Sequence, residues 1–452
     1  MYDLIIKNGV VVTPAATFAA DVAVAGEKIA AIGQDLQGAR ELDASGRLVT
    51  PGAVDVHVHL QMPLGPDLIS ADDFFSGTRA AALGGTTCII DFVEPETEQS
   101  LTAALAARRA EADGRAAIDY GLHMTLGPAE IRKLDQLPAV YRAGCTSFKL
   151  YMAYDFCLTD GELLLALEAV RDVGGLPVLH AENWTIIQTL AARHVTDGRT
   201  SPHWHPRSRP ALLEAEAAGR AIDIATLAGA PLHIFHVSCA AVVKRIAAAR
   251  QRGLPITGET CPQYLFLTQE AYDAPGVAGA LPVCAPPLRL PADQEALWQA
   301  LAQGDLQLVT TDHCPFTRAD KARGQHDFRQ IPGGVPSIEM RFAALYSHGV
   351  RAGRLTLNQW VDLCCAAPAR LVGLKAKGEI APGYDADLVI FDPAREVILS
   401  TETLHEAVDW TPYAGLAVQG WPESVMSRGQ LIVEQGVFSG EAGYGRFINR
   451  AA

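Results

Sequence analysis

The chain has 452 residues, 49% hydrophobic and 19% charged, a composition that provides for a large buried core and excludes a disordered protein. Acidic residues outnumber basic ones by 51 to 37, and the formal charge of -14 argues against nucleic acid or a membrane surface as a partner. No apolar run reaches the length of a membrane span, and the nine cysteines lack any CxxC pair, so we expect a soluble cytoplasmic protein with reduced thiols.

The two ends of the chain share a β-rich pattern. In the first fifty residues, DLIIKNGVVV, FAADVAVAGEKIAAIG and RLVTPG alternate apolar and polar positions between turns, and Asn8-Gly9 is typical of a hairpin. Near the other end, DLVIF (387–391) and VMSRGQLIVEQGVFSG (425–440) repeat this pattern. We therefore predict one composite β-sandwich domain, built from residues 1–52 and 376–452 and including a C-terminal tail.

The segment between these ends has a different pattern, in which strands alternate with helices. Short apolar strands such as TTCIIDF, SFKLYM, LPVLHAE, LHIFHVS and LQLVTTDH alternate with helical stretches rich in alanine and leucine, among them residues 101–113 and 240–252. Such units across residues 53–375 predict a (β/α)₈ barrel of the TIM type as the catalytic domain.

Polar side chains collect where the predicted barrel strands end, which is the rim on which barrel enzymes build their sites. In the sequence DVHVH, His57 and His59 are two residues apart, and residues at that spacing in a strand face the same side. One histidine in a strand is usually structural, but a pair that follows the turn-like Pro51-Gly52 indicates metal ligands.

Four further strand ends carry matching chemistry: Lys149, His180, His236 and Asp312. Lys149 lies in a strand too apolar to bury an unpaired cation, and His233, three residues before His236, is expected on the opposite face. Four histidines, a lysine and an aspartate on successive strands predict a site for two divalent metal ions.

The motifs DVHVHL, GGTTCIIDF, FKLYMAY, HAEN, CPQYL, PPLR and TTDHCPF together resemble those of the dihydropyrimidinase and hydantoinase family of cyclic amidohydrolases. The resemblance extends from Met1 to the GEIAPGYDADLVIFDP segment. It implies a hydrolase that opens the cyclic amide bond of dihydropyrimidines, 5-substituted hydantoins or related cyclic imides with a hydroxide held between two metals. It also implies a homotetramer.

The resemblance further implies a role for each polar residue at the rim. One metal would be bound by His57, His59, Lys149 and Asp312, and the other by Lys149, His180 and His236. Lys149 would be carboxylated to a bridging carbamate, and neutral imidazoles with oxygen ligands favour zinc over manganese or cobalt. Asp312 would move the proton to the departing nitrogen, and Tyr154 would donate to the developing oxyanion.

Substrate contacts are expected from the main chain at Ala285 and Gly333, where family members usually have serine and asparagine. Loops after the first three barrel strands would form an apolar lid over the ring substituent, in which Leu64 and Phe156 are the leading candidates. The other apolar residues assigned to this lid are Met62, Leu68, Phe92, Val93, Cys157 and Leu158.

Three alternatives accompany this interpretation. Dihydroorotases usually place arginine two residues after the second histidine, whereas this chain has Gln61, which argues against a carboxylated substrate. Allantoinases share the metal site, although HAEN, CPQYL and DHCPF are closer to dihydropyrimidinases. A non-catalytic scaffold homologue would have lost metal ligands, and every ligand position is filled here.

Overall fold

The computed structural model describes residues 1–65 and 67–451. Its strands are, in chain order, β1 (Tyr2–Val12), β2 (Thr17–Ala25), β3 (Lys28–Gly33), β4 (Gly38–Asp43), β5 (Leu48–Pro51), β6 (Ala53–Asp55), β7 (Thr86–Val93), β8 (Asp119–Thr125), β9 (Ser147–Tyr151), β10 (Leu176–His180), β11 (Leu232–Ile234), β12 (Ile256–Thr260), β13 (Leu308–Val309), β14 (Leu388–Ile398), β15 (Ala417–Ser427), β16 (Gln430–Glu434) and β17 (Val437–Phe438).

The α-helices are α1 (Phe74–Leu83), α2 (Leu101–Ala112), α3 (Leu137–Arg142), α4 (Asp160–Asp172), α5 (Trp184–Thr196), α6 (His205–Ser208), α7 (Ala211–Ala228), α8 (Ala240–Gln251), α9 (Pro262–Phe266), α10 (Val277–Ala280), α11 (Pro291–Gln303), α12 (Arg318–Ala322), α13 (Arg341–Leu345), α14 (Leu357–Val361) and α15 (Ala367–Leu371). Short 3-10 turns span Glu130–Gln136, Pro202–Trp204, Gln269–Asp273 and Phe328–Gln330, and π-helical turns span Tyr346–Val350 and Asp362–Ala366. No helix in these described ranges has both the length and the apolarity that a membrane crossing needs.

Strands β6 to β13 form the predicted barrel. Each strand pairs in parallel with the next along the chain, and helices separate most of them. The ends of the sheet meet through the parallel bridge between Val58 and His313. Buried Arg341 strengthens this closure, because one of its Nη atoms donates to the carbonyls of both Val54 in β6 and Val309 in β13, at 3.0 and 2.8 Å. The (β/α)₈ fold is therefore confirmed.

The strands from the two ends of the chain form a second sheet, as predicted. Its order is β17-β16-β15-β14-β5-β1-β2-β3, with β4 also paired to β1, and the two halves meet where β14 runs antiparallel to β5. A small core from both halves includes Ile6, Val22, Leu388 and Met426. The chain leaves this sheet at Pro51 and enters the barrel at Ala53; the domain boundaries at 52/53 and 375/376 stay predictions.

The predicted hairpin at Asn8-Gly9 is wrong. Strand β1 continues through this dipeptide, and Asn8 takes a positive φ of 62° at a bulge in the pairing with β2. Before the bulge β1 pairs with β4, and after it with β5. The left-handed residue that would suit a hairpin turn therefore serves here to redirect one long strand from one neighbour to another.

Residues after 440 return to the barrel. Arg446 N–H donates to Asp119 Oδ1 at 2.9 Å, and Phe447 forms a parallel bridge with Tyr120 at the edge of β8. Arg450 is buried, where its guanidinium donates to Ser147 Oγ at 2.8 Å. This tail therefore packs on the barrel at β8 and β9.

Candidate active site

The six predicted ligands lie together at the C-terminal rim of the barrel. Lys149 is in β9 and His180 ends β10, while the others follow β6, β11 and β13 by a few residues. The Nε2 atoms of His57 and His59 are 3.1 and 3.3 Å from Asp312 Oδ1. Ligand atoms of His57, His236 and Asp312 lie within 4.8 Å of one another, and the rings of His180 and His236 are 4.5 Å apart.

The backbone at this rim is strained. His236, Asp312 and Tyr154 have positive φ angles of 40°, 50° and 72°. Residues other than glycine are uncommon in this region, and each such conformation costs about 1–3 kcal/mol, which is tolerated mainly at functional sites. The turn at His236 also corrects the prediction that His233 faces away: the strand alternation breaks between them, so both side chains reach the interior.

Several buried nitrogen atoms in the cluster have no hydrogen-bond partner among the described residues: His57 Nε2, His59 Nδ1 and His236 Nδ1. His57 Nε2 is close to Asp312, but not in hydrogen-bonding geometry. Buried polar atoms normally find partners, so His57 Nε2, which lies 3.1 Å from Asp312 Oδ1, is available to an ion bound by both residues. Burial holds the pKa of His180 and that of His236 below the ordinary range, which leaves neutral imidazoles, the form that binds metal. The residues present therefore fit divalent metal ions.

Lys149 is surrounded by aromatic faces rather than by acids. Its Nζ is 4.2 Å from the ring centre of Phe235, 4.7 Å from that of Tyr151 and 5.5 Å from that of Phe92. It forms no ion pair or hydrogen bond with any residue that the structure describes. Burial lowers the pKa of Lys149 to about 7, although the charges of Asp312 and Glu259 oppose the shift. A large fraction of the side chain is therefore neutral amine at neutral pH.

A buried carboxylate that the sequence analysis missed supports the first histidine. Glu259 is the penultimate residue of β12 and accepts from His57 Nδ1 at 2.6 Å, while its second oxygen is 3.1 Å from His233 Nε2. Burial alone would raise the pKa of Glu259, but His57 and His233 lower it to about 2. Because the carboxylate accepts a hydrogen bond from Nδ1, the ring of His57 is held with its Nε2 toward Asp312, and Nε2 is the atom that would bind a metal.

Further buried groups hold the other ligands. Asp55 accepts from Thr311 Oγ1 at 2.6 Å and so connects the end of β6 to the loop that carries Asp312. Glu182 is 2.8 Å from His180 Nε2 and pairs in turn with Arg209. The only signal for Asp55 and Glu182 in the sequence was their position beside the histidines, within DVHVH and HAEN.

A cavity of about 800 Å³ opens above the cluster. All five predicted substrate contacts line it: Leu64, Tyr154, Phe156, Ala285 and Gly333. Burial raises the pKa of the Tyr154 phenol, so it stays protonated and can donate. The Tyr154 ring stacks on Phe156 with centres 5.5 Å apart, and its loop is fixed to α5 because Trp184 Nε1 donates to Asp155 at 3.1 Å.

The apolar residues assigned to the predicted lid divide into two groups, and the lid itself stays a prediction. Met62, Leu64 and Phe156 line the cavity, whereas Leu68, Val93, Cys157 and Leu158 do not. Phe92 is buried in the floor, stacked on His59 with ring centres 4.4 Å apart, where it orients a ligand rather than covering a substrate. The apolar wall also includes residues that the sequence analysis did not select: Trp184, Ile187, Phe328 and Ile331.

The comparisons with known proteins agree with this geometry. The model of the Amidohydrolase family matches residues 48–432. A D-hydantoinase from Geobacillus stearothermophilus is 46% identical over 454 residues, which cover 99% of this chain and 96% of the relative. Among solved structures, a D-hydantoinase from a Bacillus species superposes with a TM-score of 0.97 at 46% identity, covering 99% of each chain. A dihydropyrimidinase from Brevibacillus agri also gives 0.97, at 44% identity, covering 100% of this chain and 99% of the other.

Proposed function

Since this chain belongs to the amidohydrolase family and, within it, to the hydantoinases and dihydropyrimidinases, we propose that it opens 5-substituted hydantoins or dihydropyrimidines by hydrolysis. It is a cyclic amidohydrolase, which cleaves the C–N bond of a ring amide. One observation carries the proposal: ligand atoms of His57, His236 and Asp312 lie within 4.8 Å of one another, and His57 Nε2 is buried without a hydrogen-bond partner, below a cavity large enough for a substituted ring.

The rim residues would hold two divalent metal ions. His57, His59, Lys149 and Asp312 would bind one ion, and Lys149, His180 and His236 the other. Imidazole and oxygen ligands favour zinc, with manganese and cobalt as substitutes. When bound, such ions lower the pKa of a water molecule toward about 7 and polarise the ring carbonyl.

Lys149 would reach two metals only in a modified form. A protonated lysine between two cations is repulsive, whereas its neutral amine can attack carbon dioxide. The new N–C bond gives a carbamate with the loss of one proton, and its two oxygens share a single negative charge where the ammonium would have been positive. The burial of Lys149 without a carboxylate partner, and a pKa near 7, support this assignment.

Asp312 would transfer the proton, and Tyr154 would donate a hydrogen bond to the oxyanion. The pKa of Asp312 would rise on burial, but His57 and His59 hold it well below its usual range, so the carboxylate is ionised. As the base of the reaction it would take a proton from the attacking water. It would then deliver that proton to the ring nitrogen as the C–N bond breaks. The Tyr154 hydroxyl would donate to the carbonyl oxygen as this oxygen becomes negative.

The lining of the cavity supports an apolar ring substituent. Phe156 is 49% exposed and Leu64 38% exposed, so both present apolar area to the opening. Trp184 and Ile187 extend this wall along α5. Allantoin and dihydroorotate carry polar substituents, which would have to reach Gln188 or Arg209 beyond these apolar side chains.

The test is ring opening by the metal-loaded protein on a panel of dihydrouracil, 5-substituted hydantoins, allantoin, dihydroorotate and simple cyclic imides. We expect the highest kcat/KM for hydantoins with an apolar 5-substituent. A preference for allantoin or dihydroorotate would assign the chain to another branch of the family, and no turnover with a full metal content would support the scaffold alternative.

We also propose a cytoplasmic homotetramer. The nine cysteines are all free, and eight of them are buried, which suits a reducing compartment. Analytical ultracentrifugation of the metal-loaded protein measures the assembly, and a monomer would contradict this part of the proposal.

A further inference from the structure

Two residues of the cavity lining have main-chain N–H groups without a partner among the described residues. Ala285 and Gly333 are partly exposed, whereas the residues immediately beside each of them are buried. Both line the cavity, and neither N–H donates to a group in the described part of the chain. The two segments also contact each other, because Gly334 N–H donates to the Val283 carbonyl at 3.0 Å. Unpaired donors at such a place are available to a ligand.

Lys321 forms a hydrogen bond to each of these two segments. This lysine of α12 is fully buried, and its Nζ donates to the carbonyls of Val283 and Pro332, both at 2.7 Å. No described carboxylate forms an ion pair with it, unlike buried Lys377, which pairs with Asp119 and Asp387. An ammonium buried without a counter-ion is costly, and burial accordingly lowers the pKa of Lys321 to about 7; its amino group can donate in either form. Its hydrogen bonds to described residues go to main-chain carbonyls alone, one in each of the two segments.

His205 makes a similar contact with the carbonyl of Cys284, the residue after Val283. It is buried at the start of α6, and its Nε2 is 2.8 Å from the Cys284 carbonyl. A carbonyl only accepts, so Nε2 carries the proton, and burial keeps the ring neutral by lowering the pKa of His205 to about 3.

These contacts share one pattern. Lys321 donates to the carbonyl of the Pro332–Gly333 peptide, whose N–H is that of Gly333. His205 donates to the carbonyl of the Cys284–Ala285 peptide, whose N–H is that of Ala285. A donor on the oxygen of a peptide fixes its plane and makes its N–H a stronger donor, because hydrogen bonds in a chain polarise one another.

We propose that Lys321 and His205 are positioning residues that fix and polarise two peptide units so that Gly333 and Ala285 hold the second carbonyl of the substrate ring. This inference rests on the proposed function, because a cyclic ureide has one carbonyl to be attacked and another across the ring nitrogen. When the ring C–N bond breaks, its electron pair moves to that nitrogen and is shared with the second carbonyl oxygen. The two N–H groups stabilise this charge until the nitrogen is protonated.

The test compares a hydantoin with its 2-thio analogue, in which sulfur, a weaker acceptor, replaces the second carbonyl oxygen. The variant Lys321→Met removes the donor and keeps the length of the side chain. We expect it to lose about tenfold in kcat/KM on the hydantoin, the worth of about one hydrogen bond, and clearly less on the thio ring. The ratio of kcat/KM on the hydantoin to kcat/KM on the 2-thio analogue, which we call the oxygen-to-sulfur preference, should therefore be smaller than in the native protein. If the thio ring binds without opening, its inhibition constant replaces kcat/KM.

Controls separate positioning from general damage. Lys377→Met removes another buried ammonium far from the cavity, and it should lower the melting temperature while the oxygen-to-sulfur preference stays native. Lys321→Gln keeps a neutral donor and should give an intermediate preference. His205→Leu and His205→Gln form an independent pair, of which only the leucine variant should reduce the preference.

The outcomes are distinct. Equal losses on both rings in the Lys321 variants and in His205→Leu would overturn the proposal and make these residues structural. A native protein that is loaded with metal but opens neither ring would instead refute the proposed function. A smaller preference in Lys321→Met or Lys321→Gln, with native metal content, supports positioning.

Discussion

Glu259 provides the sharpest test of how the metal site is built. In Glu259→Gln the amide oxygen can still accept from His57 Nδ1, and the amide NH₂ can donate to His233 Nε2, so both contacts at 2.6 and 3.1 Å can remain. Only the negative charge is lost. A hydrogen bond to a charged group contributes about 1.5–3 kcal/mol and a neutral one about 0.5–1.5 kcal/mol, so the difference is roughly 1–1.5 kcal/mol.

That difference predicts a metal dissociation constant about tenfold higher in Glu259→Gln, since 1.4 kcal/mol is about a factor of ten. Glu259→Leu, which removes the acceptor, should approach the ~100-fold loss seen when a supporting group of a metal ligand is deleted. The assay is competition for zinc against a chromophoric chelator at fixed pH.

Glu339→Gln is the matched control. Glu339 is also a buried carboxylate paired with a histidine, His405, at 2.8 Å, but it does not contact a predicted metal ligand. We expect native zinc affinity in this variant. Native affinity in Glu259→Gln as well, or an equal loss in both variants, would refute the argument that Glu259 fixes His57 for the metal.

Three further predictions concern the reaction. Lys149→Ala should lose most of its metal and activity and recover part of both with a short carboxylic acid; full activity with normal metal content would reject the carbamate. Asp312→Asn keeps the shape without the base, so kcat should fall by about 10²–10⁴ or more, and near-native turnover would mean that another group moves the proton. Phe156→Ala should reduce kcat/KM more for a hydantoin with a bulky apolar substituent than for the bare ring, because each buried methylene contributes about 0.8 kcal/mol; equal losses would place Phe156 in loop packing.

The residues at the barrel rim were predictable because their signal is local. Each lies within or just after a short apolar strand, and the pair His57 and His59 has the spacing of one strand face. Glu259 also lies within such a strand, in PITGETC, but its role depends on the contact between β12 and the loop after β6. No pattern in a single segment reports a contact between distant strands.

The errors have physical causes of the same kind. Asn8-Gly9 favours a left-handed backbone, and Asn8 adopts one, but β4 and β5 are both available as partners and convert the turn into a bulge. Phe92 was assigned to a lid because it follows an apolar strand, yet it remains inside β7 and packs on the histidines. Tertiary packing decided both positions.

The order of strands in the composite sheet has a consequence for synthesis. β5 ends at Pro51, and its antiparallel neighbour β14 begins only at Leu388, so the ribosome must translate the whole barrel between them. During that time the edge of β5 carries unpaired N–H and C=O groups, the kind of edge on which other chains can pair. Chaperones that cover this edge during translation should therefore increase the yield of folded protein more than chaperones that act after release.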